Sequence, residues 1–149
     1  MKPHGAIRID PPELESFGSR EAIEIVIPYT EWPLGLAAVD RAAVLAARLS
    51  ALVRLIAVHT VPYPAPFGCP AVAHAYFVEQ LIDLASRSPL TVHPQVILAR
   101  SRFEGFRAAI PAESTVLLAA YRRFWKTAED RLADMLAGEG HKVALFYVE

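Results

Sequence analysis

Hydrophobic positions along the chain follow two patterns that alternate from one end to the other. Short, nearly continuous apolar runs rich in β-branched residues are typical of buried parallel strands, and they lie at residues 23–27, 53–61, 91–99, 114–120 and 143–148. Between these runs, apolar residues recur at spacings of three and four, which indicates helices with one buried face. Strands that alternate with helices pair in parallel through right-handed crossovers. The pattern therefore predicts an α/β fold, a Rossmann-like three-layer sandwich with one open, mostly parallel five-stranded sheet.

Local signals mark the ends of the predicted helices. Pro33 suits the first turn of a helix whose apolar stripe continues to Leu52. Ser101 and the glutamate three residues later have the spacing of a capping box, and Thr127 is placed to cap the last helix. Gly138 is a suitable residue to follow the end of that helix. We therefore predict helices at residues 32–52, 71–87 and 101–110 and within residues 122–137.

The composition indicates a single domain with almost no net charge. The 149 residues suffice for one domain, and 54% of them are apolar. The 15 basic and 16 acidic side chains leave a net charge of −1, and neither sign forms a sustained run. Electrostatic binding to nucleic acid or to a membrane surface is therefore not expected. Charged residues such as Asp40 and Arg54 interrupt the longest apolar stretch, so no transmembrane segment is predicted.

The N-terminal residues and the single cysteine indicate the domain boundaries and the cellular compartment. Residues 1–20 are polar and rich in Pro and Gly, which predicts a flexible arm before a domain at residues 21–149. The arm lacks the apolar segment of a signal peptide. Cys69 is the only cysteine, so no internal disulfide can form. A reducing, cytoplasmic location is the resulting expectation.

Residue types that perform catalysis or bind metals form no recognisable motif. The five histidines have no metal-ligand spacing, and Cys69 lies among prolines without an adjacent base. A strained nucleophile turn of the G-x-S-x-G type is also absent from the sequence. We therefore predict no catalytic residue, no metal site and no enzymatic activity.

Residues 23–61 read as a strand, an Ala-rich helix and a second strand that ends in Val58, His59 and Thr60. This segment resembles the first half of a universal stress protein domain, and the order of the later elements extends the resemblance to residues 21–149. The resemblance implies the strand order 3-2-1-4-5 and a homodimer formed through the last strand. In that family, nucleotide-binding members carry an aspartate at the end of strand one and the glycine pattern G-x2-G-x9-G-[S/T] after strand four.

This chain departs from the nucleotide-binding pattern at both places. Its first strand is predicted to end at Pro28, where Tyr29 and Thr30 follow without an aspartate, and no glycine lies between residues 105 and 138. A phosphate cradle needs several inward-pointing backbone N–H groups with no Cβ atoms in the way. We therefore expect no cofactor and no ATP, and we expect Phe124 and Trp125 to fill the cleft where a nucleotide would lie. The alternative is that these two aromatic residues, beside Arg122 and Arg123, line a dimer interface or a partner groove.

Ligands of open α/β sheets bind beyond the carboxyl ends of the strands, where the strand order reverses. With the implied order, this switch point lies between strands one and four. Residues at these positions can also simply end strands and cap helices. The candidate residues of a ligand cleft are Tyr29, Thr30, His59, Thr60, Arg100, Tyr121, Arg122 and Arg123.

The last strand is apolar and lies at an edge of the sheet in the implied order. An exposed edge of this kind associates with another chain unless something covers it. Pairing with its own copy gives a symmetric dimer, so a second copy of the chain is the expected partner. The predicted interface residues are Val143, Leu145, Phe146, Tyr147 and Val148.

These observations favour a non-enzymatic, universal-stress-like protein that acts as a dimeric interaction or small-molecule-sensing module with a degenerate nucleotide site. Its further partner would be a protein or a small molecule. One alternative is an atypical nucleotide-binding member in which Arg122 and Arg123 meet the phosphates in place of the glycine loop. Another alternative is a small nucleotide hydrolase, which the missing aspartate and glycines disfavour.

Overall fold

Five strands form one open sheet in which every pairing is parallel. The computed structural model describes residues 23–46, 51–61, 72–112 and 114–148. The strands lie in the order β3-β2-β1-β4-β5. This order and the α/β class confirm the predicted fold. The strands are β1 (Ile23–Tyr29), β2 (Ala51–Thr60), β3 (Val92–Ala99), β4 (Thr115–Tyr121) and β5 (Lys142–Val148).

Helices cover both faces of the sheet. In the described part of the chain they are α1 (Trp32–Leu45), α2 (Val72–Ser86), α3 (Arg102–Ala109) and α4 (Ala128–Gly138). Leu34 of α1 and Leu81 of α2 pack in one apolar cluster, and Phe106 of α3 and Leu132 of α4 pack in another. Because strand side chains alternate between the two faces, a continuous apolar strand such as β4 contributes to both clusters. None of the described helices is long and apolar enough to cross a membrane.

The helix caps predicted at Ser101 and Thr127 are confirmed. The Ser101 hydroxyl accepts a hydrogen bond from the N–H of Glu104 at 3.1 Å, and Thr127 forms a full capping box with Asp130. The predicted N-terminal arm at residues 1–20 and the proline-rich loop that contains Cys69 lie outside the described residues.

Two predicted helix ends are wrong. α1 ends at Leu45, and Leu52 lies instead in β2, where it pairs with Glu24 of β1. A buried strand and the buried face of a helix are both apolar, so the hydrophobic pattern alone could not separate them. α4 includes Gly138, and among the described glycines the one with a positive φ, 99°, is Gly140, which follows the end of the helix.

β1 continues through Pro28, where the sequence predicts its end. Its ladder with β2 runs the whole length of β1, whereas its ladder with β4 stops at the pair of Val26 and Val116. Proline has no N–H to donate, which accounts for the loss of pairing on one side. Beyond that pair, the described residues of β1 and β4 form no backbone ladder.

Candidate functional site

The predicted ligand residues lie at the carboxyl edge of the sheet. The strand order reverses between β1 and β4, so the switch point is the gap between these two strands. Tyr29 is the last residue of β1 and Tyr121 is the last residue of β4. The other candidates also end a strand or follow one: Thr30, His59, Thr60, Arg100, Arg122 and Arg123. The structure therefore brings these residues to one edge of the sheet, but their side chains contact different neighbours and do not form a single site.

Tyr29 is buried in the domain rather than open to a cleft. It is 4% exposed, and its ring lies over Gly35 of α1, where an added Cβ atom would come within 2.7 Å of the ring. Its hydroxyl donates to Oε1 of Gln80 at 3.5 Å, and its ring centroid lies 5.8 Å from that of Phe77. Burial, followed by the negative charge of Glu31, raises the pKa of Tyr29. Tyr29 thus fills the space beside the first turns of α1.

The candidates from β2 and β3 make different contacts. The ring of His59 lies 5.8 Å, between centroids, from the Phe77 ring that Tyr29 also contacts. Arg100 donates from Nη1 to the backbone oxygen of Val61 at 3.2 Å, which links the ends of β3 and β2. Oγ1 of Thr30 is buried and has no hydrogen-bond partner among the described residues.

A glutamate stands at the switch point, although β1 carries no aspartate. Glu31 occupies the N-cap position of α1, and its backbone oxygen accepts a hydrogen bond from the N–H of Gly35 at 2.8 Å. Burial, followed by the nearby Glu31 side chain, raises the pKa of Tyr121. The same carboxylate also raises the pKa of Tyr29, so it lies near both tyrosines. Glu31 thus places negative charge at the N-terminus of α1, beside the ends of β1 and β4.

The two arginines that could meet a phosphate contact tyrosine rings. Cζ of Arg122 lies 5.1 Å from the ring centroid of Tyr147 on β5, and Cζ of Arg123 lies 4.9 Å from that of Tyr121. Both distances are in the range of cation–π contacts. Arg122 therefore lies toward the outer strand and Arg123 toward the switch point, so the two guanidinium groups do not share one site.

The prediction that Phe124 and Trp125 fill the cleft is wrong. Phe124 is fully exposed and Trp125 is 62% exposed. Both belong to residues 122–126 between β4 and α4, which we name the aromatic loop. Tyr29 and Tyr121 already occupy the switch point, and the aromatic loop leads away from it. With α4 and β5, the aromatic loop lines an open groove of about 250 Å³.

The start of α4 anchors the aromatic loop. Thr127 Oγ1 accepts a hydrogen bond from the N–H of Asp130 at 3.2 Å, and Asp130 Oδ2 accepts one from the N–H of Thr127 at 2.8 Å. Asp130 Oδ1 also accepts a hydrogen bond from the hydroxyl of Tyr147 at 3.0 Å. Partial burial acts to raise the pKa of Asp130, but these hydrogen bonds lower it overall. Lys126 forms an ion pair with Asp134.

The residues predicted to form a dimer interface lie on both faces of β5. Val143 and Leu145 pack against the cluster under α3 and α4, whereas Phe146 and Val148 pack against the cluster under α1 and α2. Tyr147 remains 41% exposed. β5 pairs with β4 on one side, and its other side is a free edge of the described sheet. Whether a second copy covers this edge stays a prediction.

Sequence reasoning missed Glu31, Gly35 and Gln80. Glu31 had a local signal, because it comes two residues before Pro33 and so falls at the start of a helix. Gly35 and Gln80 had none, since their roles depend on contacts with a distant strand. Within the described ranges, no group of His, Cys, Asp or Glu side chains could hold a metal ion.

Comparison with protein-family models and with curated proteins finds no match to this chain.

Proposed function

We propose that this chain is a non-enzymatic interaction module with a universal-stress-like fold, whose switch point does not bind a nucleotide. The observation that carries this proposal is the position of Glu31 at the N-cap of α1, where its carboxylate lies near Tyr29 and Tyr121. Helix N-termini at a switch point favour anions such as phosphates. The carboxylate already supplies negative charge there and would repel a phosphate.

Shape and hydrogen bonding support the same conclusion. The Tyr29 ring covers Gly35, so a phosphate cannot approach the backbone of α1 from that side. The N–H of Gly35 already donates to the backbone oxygen of Glu31, and Pro33 has no N–H. The first turn of α1 therefore offers few of the donors that a phosphate needs.

The proposal includes a cytoplasmic homodimer formed by two copies of β5. Support comes from the free edge of β5, which carries apolar side chains on both faces. Antiparallel pairing with a second copy would satisfy the unpaired N–H and C=O groups of this edge. The symmetric dimer would then present two identical surfaces to a protein or small-molecule partner.

Calorimetric titration with ATP and Mg²⁺ tests the nucleotide part of the proposal. We expect no saturable heat at millimolar ATP, for the wild-type chain or for the Arg131→Ala control, whose side chain is exposed on α4. Glu31→Gln removes the negative charge while keeping the shape, so any weak binding should increase in this variant. Micromolar binding by the wild-type chain would contradict the proposal. Loss of that binding in Arg122→Ala/Arg123→Ala would then favour the atypical nucleotide site.

Light scattering over a range of concentrations tests the dimer part. We expect the mass of two chains at high concentration. A single-chain mass at every concentration would remove the dimer and leave the nucleotide part standing.

A further inference from the structure

The aromatic loop presents two large apolar side chains just beyond the end of the edge strand. Tyr121 pairs with Val148 at the ends of β4 and β5, so the loop begins where the free edge ends. Phe124 is fully exposed and Trp125 is 62% exposed. Each aromatic side chain can bury about 150–250 Å². Adjacent exposed aromatic residues of this size indicate an interaction surface.

Contacts within the chain hold the aromatic loop in this position. Arg122 contacts the ring of Tyr147, Arg123 contacts the ring of Tyr121, and the capping box of Thr127 fixes the start of α4. These contacts need no partner. Because the loop is already ordered by them, little conformational freedom is lost when a partner binds.

The charges around the aromatic loop favour a second copy over an anionic partner. An anionic lipid surface or a nucleic acid requires a net positive surface. Here four basic and three acidic side chains leave the surface close to neutral, and a surface that carries both signs can pair with itself across a two-fold axis. The side chains concerned, on the loop and the first two turns of α4, are Arg122, Arg123, Lys126, Glu129, Asp130, Arg131 and Asp134.

This inference rests on the proposed dimer, in which two β5 strands pair antiparallel. That pairing determines which surface of the partner the aromatic loop contacts. The aromatic loop lies at the carboxyl edge of its own sheet. In the antiparallel dimer it therefore comes beside the amino end of the partner's β5 and the C-terminal turn of the partner's α4. Half-buried Met135 and Val143 lie in that region of the chain. The last turn of α4 contains no basic residue, and a helix C-terminus attracts cations.

We propose that the aromatic loop is a dimerisation arm. Phe124 and Trp125 of one copy pack against the partner's Met135 and the partner's Val143, and Arg122 and Arg123 face the C-terminal end of the partner's α4. A stable interface buries about 800 Å² on each partner, of which the edge of one short strand supplies only a part. The two aromatic side chains supply much of the remaining area.

Sedimentation analysis of the full chain tests the arm. In the variant Phe124→Ser/Trp125→Ser, we expect the dissociation constant of the dimer to rise about 30-fold or more, as for central aromatic residues of interfaces. The matched control is Val44→Ser/Ile82→Ser, which changes side chains of α1 and α2 that are 72% and 54% exposed. This control should change the constant less than about 3-fold. Circular dichroism confirms that both variants are folded.

Fluorescence reports the environment of Trp125 directly. The chain has two tryptophans, so Trp32→Phe leaves Trp125 as the only one. Its emission should shift to shorter wavelength as the protein concentration passes through the dissociation constant. Vesicles of phosphatidylserine and phosphatidylcholine, added below that concentration, should cause no shift.

The outcomes separate failure of the arm from failure of the dimer. Unchanged dimer affinity in Phe124→Ser/Trp125→Ser would overturn the arm and leave the β5 dimer intact. A wild-type chain that stays monomeric, without concentration-dependent amide protection at residues 142–148, would overturn both. A fluorescence shift with vesicles but not with protein concentration would show that the aromatic loop binds a lipid surface. That result would overturn the proposal that it binds a second copy of the chain.

Discussion

Tyr29 and Phe124 are aromatic residues at the same edge of the sheet, yet Tyr29 is 4% exposed and Phe124 is fully exposed. The difference follows from the connections that leave the two neighbouring strands. Only residues 30 and 31 separate β1 from α1, so Tyr29 stays beside the first turns of that helix. Residues 122–127 separate β4 from α4, and they carry Phe124 beyond the sheet.

The comparison shows that the switch point has a closed half and an open half. In nucleotide-binding α/β domains, the crevice at the switch point forms one ligand site. Here the β1 side is closed by Tyr29, and the Glu31 carboxylate near Tyr121 adds negative charge to it. The β4 side displays the aromatic loop to solvent. The short β1 connection keeps Tyr29 in the core, whereas the longer β4 connection leaves Phe124 and Trp125 at the surface.

Replacing each aromatic residue by alanine should give the largest contrast. Tyr29→Ala leaves a cavity between α1 and the sheet, and it should lower the free energy of unfolding by about 3–5 kcal/mol. Phe124→Ala should change it by less than about 0.5 kcal/mol, because no packing is lost in the single chain. Urea denaturation below the dimer dissociation constant measures both. Equal effects would refute the distinction between a closed and an open half.

Tyr29→Phe is the control for the Tyr29 hydroxyl. This variant loses only the 3.5 Å hydrogen bond to Gln80, so its cost should stay below about 1.5 kcal/mol.

Gly35→Ala tests how tightly the closed half is packed. The new Cβ atom would lie 2.7 Å from Cδ1 of Tyr29 and 3.0 Å from Cδ2 of Leu84, so the free energy of unfolding should fall by about 1–3 kcal/mol. The same change at Gly138, where the new Cβ atom would meet nothing within 4 Å outside the adjoining backbone of α4, should be neutral or stabilising. The cost of Gly35→Ala should also shrink in a Tyr29→Ala background, and an unchanged cost there would exclude the ring as its cause.

Thr127→Ala tests the anchor of the open half and should have a smaller effect than Tyr29→Ala or Gly35→Ala. Loss of the capping box should lower the free energy of unfolding by about 1 kcal/mol and speed amide exchange at the start of α4. Thr127→Ser keeps the hydroxyl and should remain close to wild type. If alanine and serine behave alike, the cap does not hold the aromatic loop.

Several features of the fold could be predicted because their causes are local. Continuous apolar runs marked all five strands, and the caps at Ser101 and Thr127 marked two helix starts, since a cap bonds within one turn. The strand order came from the resemblance rather than from the pattern, and the structure has that order.

By itself, the sequence determined the α/β class, the approximate strands and the absence of a glycine cradle after β4. Only the tertiary structure decided that β1 runs past Pro28, that Glu31 lies near Tyr121 and that Phe124 lies outside the cleft. The reason is the range of the interactions involved. Apolar runs and caps act within a few residues, whereas a strand's length depends on its neighbours. Which side chain fills a cleft depends on the lengths of the connections and on which residue already occupies the space.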